Sequence, residues 1–340
     1  MSRAYGVNAA AITDHSFDLD DAMGAFHEPD PKLPRWKALT KEIRETEDFI
    51  FLPGEEVSCG NEKAHNVHLL VYFNPGYIYG DDDNSGGKAR QRPKLVYSDI
   101  FGRKHEKAAL YAAHAAEKAP FLHKMFLHRG DWHILRTRKV HGFQIFNGRI
   151  DRHVRRAMHL WSKSLLEGRK QFIMAGNDTH GNFNRLQRVL IPNILLSGNE
   201  HIYYGRQRTG LLNARDQKSA ETALRNGRMI VSNAYSLECE VKNEAGCRFF
   251  LGDRATGHDF RIRVYACSDA EYGPFKHIRV YFGDLQKKKE ILLWHGNRMR
   301  YERQKTLHFT PENPGYIRAE LTDRLSGWKR FTFTNPIWLN

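Results

Sequence analysis

The segment MAGNDTHGNFNR (174–185) ends an apolar run in Asp178, a one-residue spacer and His180. The run RKQFIMAG before it reads as a short buried strand closed by a glycine turn. Residues two apart on an extended backbone point the same way, so a carboxylate and an imidazole leave the strand end together. That pairing suits a hard-to-borderline metal ion, or acid–base chemistry. The same design stands near the start of the chain, where VNAAAITDHS (7–16) closes in Asp14 and His15.

Three further strand ends offer ligand-type side chains. LPGEEVS (52–58) delivers Glu55 and Glu56 from a Pro-Gly turn, AHNVHLLVYF (64–73) carries His65 and His68 into a strand, and ALYAAHAAEKAP (109–120) sets His114 after a strand of small residues. Each has a bland competitor. His15 can cap a helix, but Ser16 and Asp18 fill that role better, so the ligand reading is preferred. Glu56 is the ligand of its pair, and Glu55, pointing the other way, is structural or exposed. His68 is preferred to His65 because it adjoins the apolar LLV run. His114 competes with a core histidine flanked by alanines, and Cys59 reads as a small buried thiol.

The elements that must position these groups follow from hydrophobic periodicity. Strands are expected at 9–13, 49–52, 66–73, 109–113, 142–146, 171–175 and 228–232, and helices at 34–47, 151–167 and 217–226. Alternating strands and helices make the first two-thirds an α/β domain, 1–236. In a parallel α/β barrel all strand C-termini open onto one face, where residues far apart in sequence converge. Beyond 236 the alternation of apolar and polar residues, as in DFRIRVYACS (259–268) and HIRVYFGD (277–284), predicts an antiparallel β-sandwich-like domain over 237–340.

Composition narrows the classes. Of 18 histidines only His258, His277, His295 and His308 lie beyond residue 201, which puts the chemistry in the first part of the chain. A formal charge of +14 favours anionic partners. The four cysteines lack CxxC spacing, which excludes a zinc knuckle, and no apolar run is long enough to span a bilayer. No signal-peptide pattern is present, so a cytoplasmic location is expected.

ITDHS, PGEEVS, NVHLL, AAH, GFQIFNGR (142–149) and AGNDTHG occur in the order that resembles the PHP (polymerase and histidinol phosphatase) superfamily of phosphoesterases. NGRMIVSNAYS (226–236) and the ending TNPIWLN (334–340) are similar to its branch with a β-sandwich tail. The resemblance implies a distorted seven-stranded (β/α) barrel holding two or three divalent ions, Zn, Mn or Fe. It implies His15, Glu56, His68, His114, Asp178 and His180 as metal ligands, with Glu56 bridging. The family's opening His-x-His has no counterpart here, since no histidine precedes His15, so the first barrel strand is expected upstream of this sequence.

The expected chemistry is hydrolysis of a small phosphomonoester or nucleotide-type substrate by metal-activated hydroxide, with Glu56 and Asp178 at the reaction centre. Positive charge for the phosphate is expected from Arg149, Arg185 and Arg152. The alternatives are a nuclease, in which Tyr77, Tyr79, Phe143 and Phe146 stack bases, a carbamate or ester hydrolase, and a metal-poor binding protein.

Overall fold

The computed structural model describes residues 7–19, 31–46, 49–80, 93, 95–101, 107–126, 128–147, 150–178, 205 and 207–340. Six strands build one sheet in chain order: β1 (Ala9–Ile12), β2 (Ile50–Gly60), β3 (Asn66–Tyr72), β4 (Ala109–Ala112), β5 (Gly142–Asn147) and β6 (Phe172–Gly176). The helices are α1 (Ser16–Leu19), α2 (Pro34–Glu45), α3 (Tyr97–Ile100), α4 (Phe121–Phe126), α5 (Arg152–Leu166) and α6 (Gln217–Asn226).

This is not the closed (β/α) barrel expected from the sequence. Among the described residues strand outweighs helix by about two to one, and β1 and β6 stand at opposite ends of the six-stranded path. The pairs β1–β2, β4–β5 and β5–β6 are parallel, but β2–β3 and β3–β4 are antiparallel. The physical reason is the connection between β2 and β3: residues 61–65 form a turn, and so short a link joins only antiparallel neighbours. The Pro-Gly turn expected before Glu55 is also absent, because β2 runs straight through Pro53 and Gly54. Pro53 is the last residue paired with β1, so its missing N–H falls at the end of that ladder.

Helix α5 is the crossover from β5 to β6. Asp151 caps it, accepting from His153 N at 2.7 Å and Val154 N at 3.1 Å. Val154, Ala157, Met158, Trp161 and Leu165 fall on one face at helical spacing and are buried against the sheet.

The remaining strands are β7 (Arg208–Leu211), β8 (Met229–Ser232), β9 (Ser236–Asn243), β10 (Arg248–Phe249), β11 (Arg254–Ala255), β12 (Phe260–Cys267), β13 (His277–Asp284), β14 (Lys289–Gly296), β15 (Glu302–Phe309), β16 (Gly315–Thr322), β17 (Phe331–Thr334) and β18 (Ile337–Leu339). They form a four-stranded sheet, β10-β9-β12-β15, and an eight-stranded one in which β8 pairs with β17 and β16 with β13. Alternate residues Phe260, Ile262, Val264 and Ala266 of β12 face a shared core with Val280, Phe282, Ile317 and Leu321. This is the sandwich character that the alternation predicts.

Among the described residues, the outer edge of β6 is covered by side chains rather than by a paired strand. Asn335, fully buried, accepts from Ile173 N at 2.8 Å and donates to Ile173 O at 3.1 Å and Met229 O at 3.3 Å. Thr209 Oγ1 brackets Ala175 in the same way, at 2.9 Å from its N and 2.8 Å from its O. These bonds satisfy backbone groups of a buried edge and tie the two sheets together. Among the described residues no helix is long and apolar enough to cross a membrane.

Candidate metal centre

Backbone pairing brings the ligand-type residues together. Past the end of β1, His15 bridges Glu56 in parallel fashion, and Glu56 N donates to Asp14 O at 2.9 Å. In the β2–β3 ladder Ser58 lies opposite His68, so Glu56, two residues from Ser58, shares a sheet face with His68. Ala113 N bonds His68 O at 3.0 Å, which carries the β4 end and His114 beside them.

Glu56 Oε1 lies 2.5 Å from His68 Nδ1 and 3.4 Å from His114 Nε2, and the two imidazole nitrogens are 3.2 Å apart. A tetrahedral zinc with nitrogen and oxygen ligands has ligand–ligand edges of about 3.3 Å, so two sides of this triangle already match a coordination face. The third is short because carboxylate and imidazole hydrogen-bond directly. Donor atoms of His15, Glu56 and His68 also lie within 4.8 Å of one another, so a second three-residue set shares Glu56 and His68 with the first.

Glu56 and His68 are buried. Burial alone would push the Glu56 carboxyl up, but the charge of His68 and hydrogen bonds from His114 and His68 outweigh it and hold the group well below the usual carboxylate range. Glu55 is buried on the other side of β2, where it accepts from Ser16 Oγ at 3.2 Å and Ile78 N at 3.0 Å. Burial dominates there and pushes its carboxyl up to about 8. His65 lies in the turn before β3.

Asp178, two residues beyond β6, faces the same cavity of about 290 Å³ as His15, Glu56, His68 and His114. The lining also includes Lys118, Arg129, Asp131 and Trp132. The Arg129 guanidinium contacts His68 Nε2, and Trp132 Nε1 donates to His68 O at 3.2 Å. Asp131 accepts from Ala119 N at 2.9 Å, Lys118 Nζ at 3.3 Å and Lys124 Nζ at 2.6 Å, which holds the rim in place.

No family model matches this chain, and neither does any curated protein.

Four carboxylates (Glu56, Glu117, Asp131, Asp178) against Lys118 and Arg129 leave the cavity lining at −2. A negative pocket with two or three imidazoles and no thiolate has the donor set of a divalent ion bound by nitrogen and oxygen. Of the other residues expected at the site, His180, Arg149 and Arg185 lie outside the described residues. Arg152 is exposed at the start of α5 and is not part of the cavity lining. Phe143 and Phe146, considered as base-stacking groups, are fully buried core residues, Phe146 packing on Phe331 at 4.7 Å between ring centres. Lys118 and Arg129 escape sequence reasoning because neither sits at a strand end, and nothing local marks them as facing the ligands.

Proposed function

We propose that this chain is a divalent-metal-dependent hydrolase acting on a small phosphomonoester or nucleotide-type substrate. The carrying observation is the Glu56–His68–His114 triangle in a cavity that also takes in His15 and Asp178. The motif order resembling PHP phosphoesterases supports the same reading without requiring a closed barrel. A divalent ion held by these residues supplies Lewis-acid polarisation and an activated water.

The chain's own groups do the rest. Glu56, His68 and His114 hold the ion, with His15 reaching the same centre. Lys118 and Arg129 face the phosphoryl oxygens and offset the charge that grows in the transition state. Asp178, in the same cavity, accepts a proton or completes the ligand set. None of the four cysteines forms a disulfide, which suits the reducing cytoplasm that we assign to the protein.

Metal analysis of the purified chain, followed by assay of p-nitrophenyl phosphate and carboxylic ester and carbamate analogues with Zn, Mn and Mg, tests the reading. At least one bound ion per chain and phosphomonoester turnover lost on chelation are expected. Turnover of only the ester or carbamate would move the substrate class, and failure to bind any of the three metals would overturn the reading.

A further inference from the structure

Two of the candidate ligands sit on unusual backbone. His114 has φ +35° and Asp178 has φ +49°, both in the left-handed region that side chains other than glycine rarely occupy. Such conformations persist only where surrounding bonds fix them. The end of β5 supplies those bonds. Gln144 Oε1 accepts from His114 N at 2.9 Å, and Gln144 O accepts from Ala115 N at 2.8 Å. Gln144 Nε2 donates to Asn147 Oδ1 at 3.2 Å. Asn147 Nδ2 in turn donates to Glu117 Oε1 at 2.9 Å and to Asp178 Oδ2 at 3.4 Å.

Two features of the sheet make this chain of amides possible. Gln144 and Asn147 are three residues apart, and in a regular strand they would point to opposite faces. The β5–β6 register slips by one residue between Gln144 and Phe146, and that bulge brings both amides to one side. Opposite them, a Cβ on Gly176 would stand 2.1 Å from Gln144 Nε2, so only glycine leaves room for the amide to pass.

We propose that Gln144 and Asn147 are positioning residues, an amide relay that sets His114 and Asp178 in one fixed relation for a shared divalent ion. The inference rests on the metal reading above. Neither amide touches the ion; each acts through the residue it holds, as outer-sphere hydrogen bonds do at other metal sites.

The test uses the full chain and cobalt(II) alone, read by affinity and by its visible d–d spectrum, which reports coordination geometry and is indifferent to fold stability as such. Gln144→Glu keeps the acceptor for His114 N and loses the donor to Asn147. Gly176→Ala, at a position whose backbone tolerates alanine, puts a methyl where the Gln144 amide nitrogen lies and forces that side-chain end to shift. Gln144→Glu is expected to weaken cobalt binding about 10-fold and Gly176→Ala up to about 100-fold, each with an altered spectrum. Asn147→Asp, which keeps the acceptor for Gln144 and loses the donor to Asp178, replaces either variant if circular dichroism shows it unfolded, with the outcome expected of Gln144→Glu. Wild-type protein that binds cobalt beside folded variants of unchanged affinity and spectrum would overturn the relay alone. Wild-type protein that binds no cobalt would overturn the metal reading and the relay with it.

Discussion

Two pairs of histidines meet in this molecule at almost the same distance, one in each region. His68 Nδ1 and His114 Nε2 lie 3.2 Å apart beside the first sheet, and His277 Nδ1 and His295 Nε2 lie 3.1 Å apart on β13 and β14. The first pair closes on the buried carboxylate of Glu56. The second has cations for neighbours. Burial, each other's charge, Lys276 and Arg279 hold His277 below the ordinary histidine range against a weak pull from Asp323, and burial with Arg279 does the same to His295. Arg279 is itself fixed by Glu320 at 3.0 Å. Nitrogen spacing suited to a metal is therefore common to both, and the adjacent charge separates them. Arginine stands beside both, Arg129 against His68 and Arg279 near His277 and His295, so it is the Glu56 carboxylate that makes one pair the candidate centre.

The largest effect is expected from removing that distinction. Glu56→Gln keeps the shape and discards the charge, and should weaken binding of zinc or manganese by at least about 100-fold. His277→Ala should leave metal content unchanged. Isothermal titration of both variants decides the matter, and loss of metal from His277→Ala would reverse the assignment of the two pairs.

Next in size is the joint between the regions. Asn335→Ala strands Ile173 N and Ile173 O in a dry interior, while Met229 O keeps the backbone N–H of residue 335, at a cost of about 2–4 kcal/mol. Urea unfolding should keep a single transition at a lower midpoint. Two separated transitions, only one of them displaced, would show that the regions fold independently of this residue.

The contribution of His141 to the pH dependence is smaller and has a definite sign. Burial first, and the charge of Arg225 second, lower His141 to about 4, and its Nδ1 accepts from Leu110 N at 3.0 Å in the neutral form. The unfolded chain takes up this proton near 6.5 and the folded one near 4. This group's contribution to stability is therefore full above about 6.5 and falls as pH drops towards 4, by at most about 3 kcal/mol, whereas Glu55, raised to about 8, contributes with the opposite sign. Thermal melts should show this loss, and His141→Gln should flatten it. The His277–His295 pair adds to it with the same sign, so a melt whose slope His141→Gln leaves untouched would place the sensitivity in the second region. The smallest effect belongs to Lys276→Glu. An NMR titration should find His277 moved back up towards the ordinary histidine range, and no movement would remove Lys276 from the account of that pair.

Much of the local structure was legible in the chain. The apolar runs forecast β1, β3, β4, β5 and β6 to within a residue or two at each end, and α6 at its full extent. Of the six preferred ligands at strand ends, His15, Glu56, His68, His114 and Asp178 line one cavity, and His180 lies outside the described residues. Short-range rules suffice for these, because alternation and caps depend on neighbours a few residues away. Strand direction was misjudged for a reason that is also physical. Parallel and antiparallel strands can carry the same apolar run, and PGEEVS and NVHLL were read as separate strand ends rather than as two arms of one hairpin.

By itself the amino-acid sequence determined which residue types end its strands and that apolar and polar residues alternate in its later strands, since both are properties of contiguous segments. Tertiary structure alone decided which cations face the carboxylates, which histidine pair receives Glu56, and how a bulge in β5 turns two amides towards the ligands. Each of those depends on register between segments tens of residues apart, and a one-residue slip in register moves every side chain of a strand to the other face.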